Sequence, residues 1–339
     1  GMLDASTLGK IEFAGSDAAE FLERMYVCAV KPLKVGRCRY AALLNEAGFV
    51  IDVGIIARIS DEVFHVTTTT GGAASVLNMM EDYLQTEWPD LKVWLTSTTE
   101  QWAVIAIQGP KATEIVAPFI EGVSLQAQDF PHMSVREANV LGVPARVFRV
   151  SFTGETGFEL NVPSGYGKAV WDALWPAVEQ AGGCVYGTET MHVLRAEKGY
   201  IIVGQETDGT MTPADVGLGW LIGIKKPDFV GMRSLSRPDM VAAGRKELVG
   251  LKTADPGTVL EEGGQVTSQP APPPGTPALG HVTSSYWSET LGHSIALAVV
   301  AGGRSRMGET LYVPMPTGGV QVEVVSPVFY DPDGGRLHG

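Results

Sequence analysis

Three carboxylates occupy positions where an acid is expensive. Asp52 interrupts the aliphatic run "GFVIDVGIIARI" (residues 48–59). Glu159 follows the polar turn of residues 153–157 in "SFTGETGFELNVP". Glu197 lies in "TETMHVLRAEKG", three and four residues after Leu194 and Val193 and so beside the apolar stripe of its helix. A desolvated carboxylate costs free energy unless it accepts hydrogen bonds or meets a cation. It can serve as a general acid or base, hold a two-donor ligand edge, or anchor a loop. Strand alternation puts Phe158, Leu160 and Val162 on one face and Glu159 with Asn161 on the other, which reads equally as a solvated face or a binding face. The same rule groups Phe49, Ile51, Val53 and Ile55 against Val50, Asp52, Gly54 and Ile56. Both groups are largely apolar, so this strand is expected to be buried on both sides. Asp52 is then a catalytic carboxylate, a strand-edge charge, or what remains of a pair. Glu197 reads as an interior acid tied to a neighbouring loop, because Arg195 and Lys198 point elsewhere around the helix.

Other chemistries are not written in the chain. No G-x-G-x-x-G follows a strand, and "GLGWLIG" has the wrong spacing. No P-loop, H-E-x-x-H or G-x-S-x-G occurs, and the six histidines lack ligand spacing, so no metal site is expected. Neither flavin nor NAD is expected on this chain. The net charge of -13 argues against nucleic acid or an anionic membrane as a partner. No apolar run approaches the ~18–20 residues of a membrane span, and the amino terminus has no signal-peptide pattern, so a cytoplasmic location is expected. Cys28, Cys38 and Cys184, without C-x-x-C spacing, read as three buried thiols in a reducing compartment.

The elements that must position these acids can be read from periodicity and punctuation. "GKIEFAG" reads as a strand, followed by a helix over "SDAAEFLERMY" with Ser16 as its N-cap and Asp17 and Glu20 suiting the helix dipole. "YAALLNEAGFVIDVGIIARISDEVFHVTTT" reads as a meander broken at residues 45–48 and 60–61. "GAASVLNMMEDYLQTEW" is helical, with Met79, Met80, Tyr83 and Leu84 on its core side. "WAVIAIQGP" is a buried strand leading to a helix over residues 111–119. "PARVFRVSFTGETGFELNVP" is a hairpin, and two further helices follow in "YGKAVWDALWPAVEQAG" and "TETMHVLRAEKG", the last closed by Gly199. After the linker "SRPDMVAAGRKE" only short strands remain, which suggests a small β-barrel or sandwich. The proline-rich "QPAPPPGTP" must be a surface loop. The layout is a mixed α+β body followed by a β module.

Five segments occur together in an order that is specific: "LDASTLGKIEFAGSDAAEFLERMY", "LLNEAGFVID", "SFTGETGFELNVP", "TETMHVLRAEKGYIIVGQETDGTMTPADVGLGW" and "LGHVTSSYWSETLGHSIALAVV". They resemble the folate-binding aminomethyltransferase family, whose type member is the glycine-cleavage T-protein. "TETMHVLRAEKG" and "VVSPVFYDPDGGRLHG" look most like one branch, the carboxy-terminal half of the alpha subunit of heterotetrameric sarcosine oxidase. The resemblance implies an α+β fold arranged as a three-lobed ring. Residues 1–45 and 140–235 would form a bipartite folate-binding lobe, residues 46–139 an inserted ferredoxin-like lobe, and residues 245–339 a β-barrel. It implies tetrahydrofolate as cofactor, transfer of an aminomethyl or iminium carbon to give 5,10-methylenetetrahydrofolate, and a separate flavoprotein oxidase subunit as partner. Glu159 matches the carboxylate that holds the pterin, Phe152 an aromatic beside it, and Thr68 a position where the family usually has Asn. Glu197 is carried as a fourth folate-binding candidate.

The chain departs from the family at one chemically important place. The family motif reads Gly-x-x-x-Asp-Asp, and the second acid, which faces folate and assists proton transfer, is Val53 here. Asp52 matches the first acid and is the catalytic candidate only if a bulge or a one-residue slip turns it inward. Met191 stands where T-proteins proper carry an Arg, as in the sarcosine-oxidase branch. The family domain begins upstream of "LDASTLG" and Gly1 looks like a cloning remnant, so a truncated or divided relative is expected. Three readings follow: a one-carbon transferase module, a folate-binding scaffold or regulatory protein without transferase activity, and a module for an unrelated ligand. A branch active in iron–sulfur cluster assembly carries Lys-Gly-Cys-Tyr-x-Gly-Gln-Glu, but "KGYIIVGQE" here has no cysteine.

Overall fold

The computed structural model describes residues 1–316 and 318–338. Its amino-terminal two thirds contain eleven strands: β1 (Met2–Asp4), β2 (Gly9–Ala14), β3 (Cys38–Leu44), β4 (Val50–Arg58), β5 (Val63–Thr68), β6 (Trp94–Ser97), β7 (Trp102–Gln108), β8 (Ile120–Glu121), β9 (Ser134–Val140), β10 (Val143–Arg149) and β11 (Gly157–Pro163). They form two antiparallel sheets. One has the order β3-β4-β5-β2-β6 and the other β1-β7-β11-β10-β9-β8.

Each sheet is covered on its outer face by helices whose apolar stripes the sequence makes plain. Helices α1 (Ala18–Met25) and α2 (Ala73–Thr86) place Phe21, Leu22, Val76 and Met80 against Ile11, Phe13, Ile56, Phe64 and Val66 of the first sheet. Helices α3 (Ala112–Val116) and α4 (Gly167–Gln180) place Ile115, Val170, Leu174 and Val178 against Ile105, Ile107, Phe158 and Leu160 of the second. The inner faces of the two sheets then meet, and polar residues on those faces become interior. The division expected at residues 45 and 46 falls in the turn joining β3 to β4, which are neighbours in one sheet.

Helix α5 (Thr188–Glu197) leads to the carboxy-terminal β domain of β12 (Lys246–Thr253), β13 (Gln265–Val266), β14 (Gly280–Ser288), β15 (His293–Ala301), β16 (Thr310–Met315) and β17 (Gly318–Val325). Their order is β13-β14-β15-β12-β17-β16. The two outermost strands of that order meet where Thr267 and Tyr312 exchange main-chain hydrogen bonds of 2.8 and 2.9 Å, which curls the sheet back on itself. The architecture is therefore α+β with a β-rich carboxy-terminal domain, as expected.

Local details correct two expectations. Asp17, not Ser16, precedes α1, and its carboxylate accepts the Lys92 N–H at 2.8 Å instead of capping the helix. Cys184 is exposed, whereas Cys28 and Cys38 are buried as expected. Gly199 follows α5 with φ of 67°, the left-handed conformation that ends a helix. Among the described residues no helix is long and apolar enough to cross a membrane.

Candidate functional site

Where the inner faces of the two sheets meet they leave a narrow recess. Glu159 and Asn161 of β11, Phe148 of β10, Val104 of β7 and Val150 line one side. Lys10 of β2, Ile55 of β4, Thr67 of β5 and Leu8 line the other. Every strand contributes by alternation. On β11, Phe158, Leu160 and Val162 are buried against α3 and α4, so Glu159 and Asn161 turn inward. On β2, Ile11 and Phe13 are buried against α1, so Lys10 and Glu12 turn inward. Glu12 pairs with Arg146 at 2.9 Å, and Arg146 also lies 3.1 Å from Nδ1 of the fully buried His65. That polar group borders the recess through Phe148, whose ring centroid is 5.2 Å from that of His65.

Glu159 is partly buried, and its carboxylate accepts no hydrogen bond from the described residues. Burial pushes its acidity to about pH 7, opposed by the positive charge of Lys10. A carboxyl poised near neutrality in a recess, with its acceptor lone pairs unused, is a common signature of a binding or catalytic acid.

Asp52 lies elsewhere. The register between β3 and β4 slips between Leu43 and Leu44, so Leu44 pairs with Val50 while Leu43 pairs with Asp52, leaving Ile51 as the extra residue of a bulge. The bulge puts Val50 and Val53 on the same side, packed with Ala42 and Leu44, and Ile51 against the α1–α2 layer; it breaks the simple alternation expected of this strand. Asp52 is 2% exposed and accepts a hydrogen bond from the Thr69 hydroxyl at 2.7 Å, with the Thr69 N–H at 3.3 Å. The Thr69 hydroxyl in turn accepts the Gly72 N–H at 3.1 Å, just before α2. Asp52 thus anchors the turn that starts α2, and burial pushes the pKa of its carboxyl up to about 6.

Val53 shares its inward face with Ile55, one pleat along β4 and roughly 7 Å away by strand geometry. Beside Val53 the partly buried Tyr40 belongs to the same apolar cluster, and Phe152 stacks on Tyr200 with ring centroids 6.1 Å apart. Thr68 is buried on the helix side and its hydroxyl donates to the Thr69 carbonyl; its neighbour Thr67 lines the recess and accepts the Ile55 N–H at 2.9 Å. Glu197 is 3% exposed, accepts the Ser288 hydroxyl at 2.6 Å, and joins α5 to β14. Nearby, Arg195 donates to Glu206 at 2.7 Å and to Ser284 at 2.7 Å, with both charged groups fully buried.

The structure therefore brings Glu159, Lys10, Asn161 and Thr67 together. Asp52 and Thr68 lie on the opposite side of the first sheet, and Glu197 at the junction with the β domain. Sequence reasoning passed over Lys10 and Thr67. The available signal was the lysine between Gly9 and Ile11 in a strand whose neighbouring positions are core.

Residues 1–226 match the family described as "GCVT N-terminal domain", and residues 246–331 match "Glycine cleavage T-protein C-terminal barrel domain". The chain is 46% identical over 342 residues to the sarcosine oxidase subunit alpha of Corynebacterium sp. (strain P-1), a match covering 100% of this chain and 35% of that one. It thus spans about a third of the length of the first curated relatives it matches. It is 30% identical to the aminomethyltransferase of Thermotoga sp. (strain RQ2), over 97% of this chain and 86% of the other. In fold it is similar to the glycine cleavage system aminomethyltransferase T from Bartonella henselae, with a TM-score of 0.84 and 22% identity, covering 97% of this chain and 85% of that one.

Proposed function

We propose tetrahydrofolate-dependent one-carbon transfer for this chain, which belongs to the glycine cleavage T-protein family. The observation that carries the reading is the Glu159 carboxylate, which accepts no hydrogen bond from the described residues in a recess with mostly apolar walls. A pterin presents its N3–H and 2-amino group as two parallel donors, which one carboxylate accepts together. Phe148, Ile55, Val104 and Val150 offer the apolar surface a flat ring needs, while Asn161 and Thr67 add polar atoms at the margin. The chemistry of the lining suits a pterin edge, while the recess itself, with a cavity volume of about 10 Å³, must widen to admit the ring. When bound, tetrahydrofolate supplies the N5 and N10 nitrogens that take up the carbon, and 5,10-methylenetetrahydrofolate is the product.

In this reading Glu159 orients the ring and the apolar walls exclude water. Phe152, stacked on Tyr200, is the aromatic we assign to the ring. No carboxylate occupies the inward position of β4, because Asp52 is committed to the Thr69 turn. General acid–base assistance is worth roughly 10²–10⁴-fold, so its absence at residue 53 leaves binding intact and slows proton transfer. The Glu197 carboxylate is engaged by Ser288, and we assign it to joining α5 and the β domain rather than to folate. The aminomethyl or iminium donor must come from another protein part, for which a flavoprotein oxidase subunit is the candidate.

Val53 also favours a second reading, a folate-binding scaffold without transferase activity. Calorimetric titration with tetrahydrofolate, followed by a formaldehyde-dependent assay of methylenetetrahydrofolate, separates the two. Binding with turnover above the uncatalysed rate supports transfer, binding alone supports the scaffold, and no binding overturns both. Glu159→Gln should weaken binding roughly 10- to 100-fold, the worth of a charge-assisted pair. Val53→Asp should raise turnover without tightening binding, and an unchanged rate would count against the lost-acid account.

A further inference from the structure

Lys10 is the second charged group lining the recess, and its surroundings restrict what it can do. It is 1% exposed, and its ammonium donates to the carbonyls of Ser6 at 2.9 Å, Leu8 at 2.7 Å and Thr99 at 3.4 Å. An ammonium has three donors, and all three are spent on main chain. Lys10 therefore cannot hydrogen-bond a ligand or Glu159 without abandoning a buried carbonyl, and it makes no ion pair within 4.0 Å of Glu159. What it contributes to the recess is a positive charge held in place by the backbone.

Of the other groups around the pair, two acids also act on Lys10, and the rest are neutral or paired. Cys38 from β3 and Tyr186 from the segment before α5 feel the Glu159 charge, and burial raises both far enough to keep them uncharged near neutrality. His65 from β5 is held to about 3 by burial, so it too is uncharged. Glu100 and Asp4 face Lys10, and the Glu12–Arg146 pair neutralises itself. The remaining walls, from β4, β7 and β10, are apolar.

We propose that Lys10 is a positioning residue: its backbone-anchored ammonium, sharing the recess with Glu159, favours the ionised carboxylate over the protonated one and so selects a ligand edge that presents two donors. The proposal rests on the folate reading for the identity of that ligand. An ionised carboxylate offers two acceptors to the N3–H and 2-amino edge, whereas a protonated one turns a donor toward it and mismatches.

The relation between the two residues is measurable without ligand. In protein labelled with ¹³C at the glutamate carboxyl, Glu159→Gln identifies the Glu159 resonance, and its titration midpoint is read directly. Lys10→Met should move that midpoint upward by about half a pH unit or more, while Lys10→Arg, which keeps the charge, should leave it nearly in place. An unmoved midpoint in folded Lys10→Met protein overturns the proposal. If that variant does not fold, the reciprocal measurement decides, because the interaction acts equally on both partners. The Lys10 ammonium, followed by its ¹³Cε shift, should titrate at lower pH in Glu159→Gln, and an unchanged titration overturns the proposal. Tetrahydrofolate titrations across pH complete the test. Affinity should fall on the acid side of the Glu159 midpoint, and in Lys10→Met that fall should move to higher pH. Coupling without any folate binding sinks the folate reading and leaves the electrostatic relation standing. Folate binding without coupling does the reverse.

Discussion

Burying Glu159 costs this protein stability in the same pH range where the carboxylate is useful. Its folded acidity lies near 7, above the 4.5 of an exposed glutamate, so the folded state holds the proton more tightly than the unfolded one. The stability tied to this group is complete below about pH 4.5 and is lost as pH rises through about 7. Glu159→Gln should therefore be more stable than the parent at pH 8, on the order of 1–3 kcal/mol, with the difference fading toward pH 4.5. Urea unfolding at the two pH values measures this, and an equal difference at both would show that Glu159 carries no buried charge. A site kept at the expense of stability is what a binding residue looks like. Asp52 is also raised by burial, but its carboxylate has found partners in the protein. Asp52→Ala should leave tetrahydrofolate affinity within roughly twofold while speeding amide exchange at Thr69 and through the first turn of α2, with a stability loss of about 1–3 kcal/mol. A tenfold loss of affinity would instead place Asp52 at the ligand.

At the scale of elements, strand β4 decides which side chains meet the recess. Beyond the Ile51 bulge, alternation sends Asp52 toward the helices and Val53 and Ile55 toward the interior. Gly54 is required between them, since a Cβ there would lie 1.9 Å from the Thr67 carbonyl oxygen. Thr67 in turn accepts the Ile55 N–H, so the close approach of β4 and β5 sets one wall of the recess. Gly54→Ala should force these strands apart and cost more than about 2 kcal/mol, with folate affinity falling alongside; a thermal melt within a degree or two of the parent would show that the approach can relax. The same strands put Thr68 and Thr67 on opposite faces. On β5, Phe64 and Val66 face the helices, so the parity that buries them carries Thr68 with them and gives Thr67 to the recess.

At the scale of the whole molecule, α5 and its following loop hold the β domain to the body through buried polar groups. Arg195 and Glu206 pair with both charges out of water, and Glu206 also accepts hydrogen bonds from Thr283 and Ser284 of β14. Removing one member of such a pair strands the other, which typically costs 3–5 kcal/mol. Arg195→Met should lower stability by about that amount and expose the junction between body and β domain to proteolysis, followed by mass spectrometry of the fragments. Retention of parental resistance would mean that the apolar contacts of Leu248, Ile295 and Leu297 with Ala196 and Ile201 suffice to hold the junction. Glu197, bonded to Ser288, belongs to this same buttress.

Periodicity alone carried much of the fold. The stripes of α1, α2 and α4, the meander of β3 to β5, and the short strands after residue 245 are all local consequences of side-chain spacing. Alternation also placed Glu159 and Asn161 on one face of β11, and the pattern of the β4 segment marked its burial on both sides. What spacing could not decide was which buried face meets which other face. Whether Glu159 sits in water or in a recess depends on a second sheet contributed by residues far away in the chain. Alternation also set Asp52 opposite Val53 and Ile55, as found, whereas the bulge at Ile51, which puts Val50 on the face of Val53, depends on the pairing with β3. Lys10 became visible as the cation opposite Glu159 only when two sheets, each amphipathic by its own sequence, closed on one another.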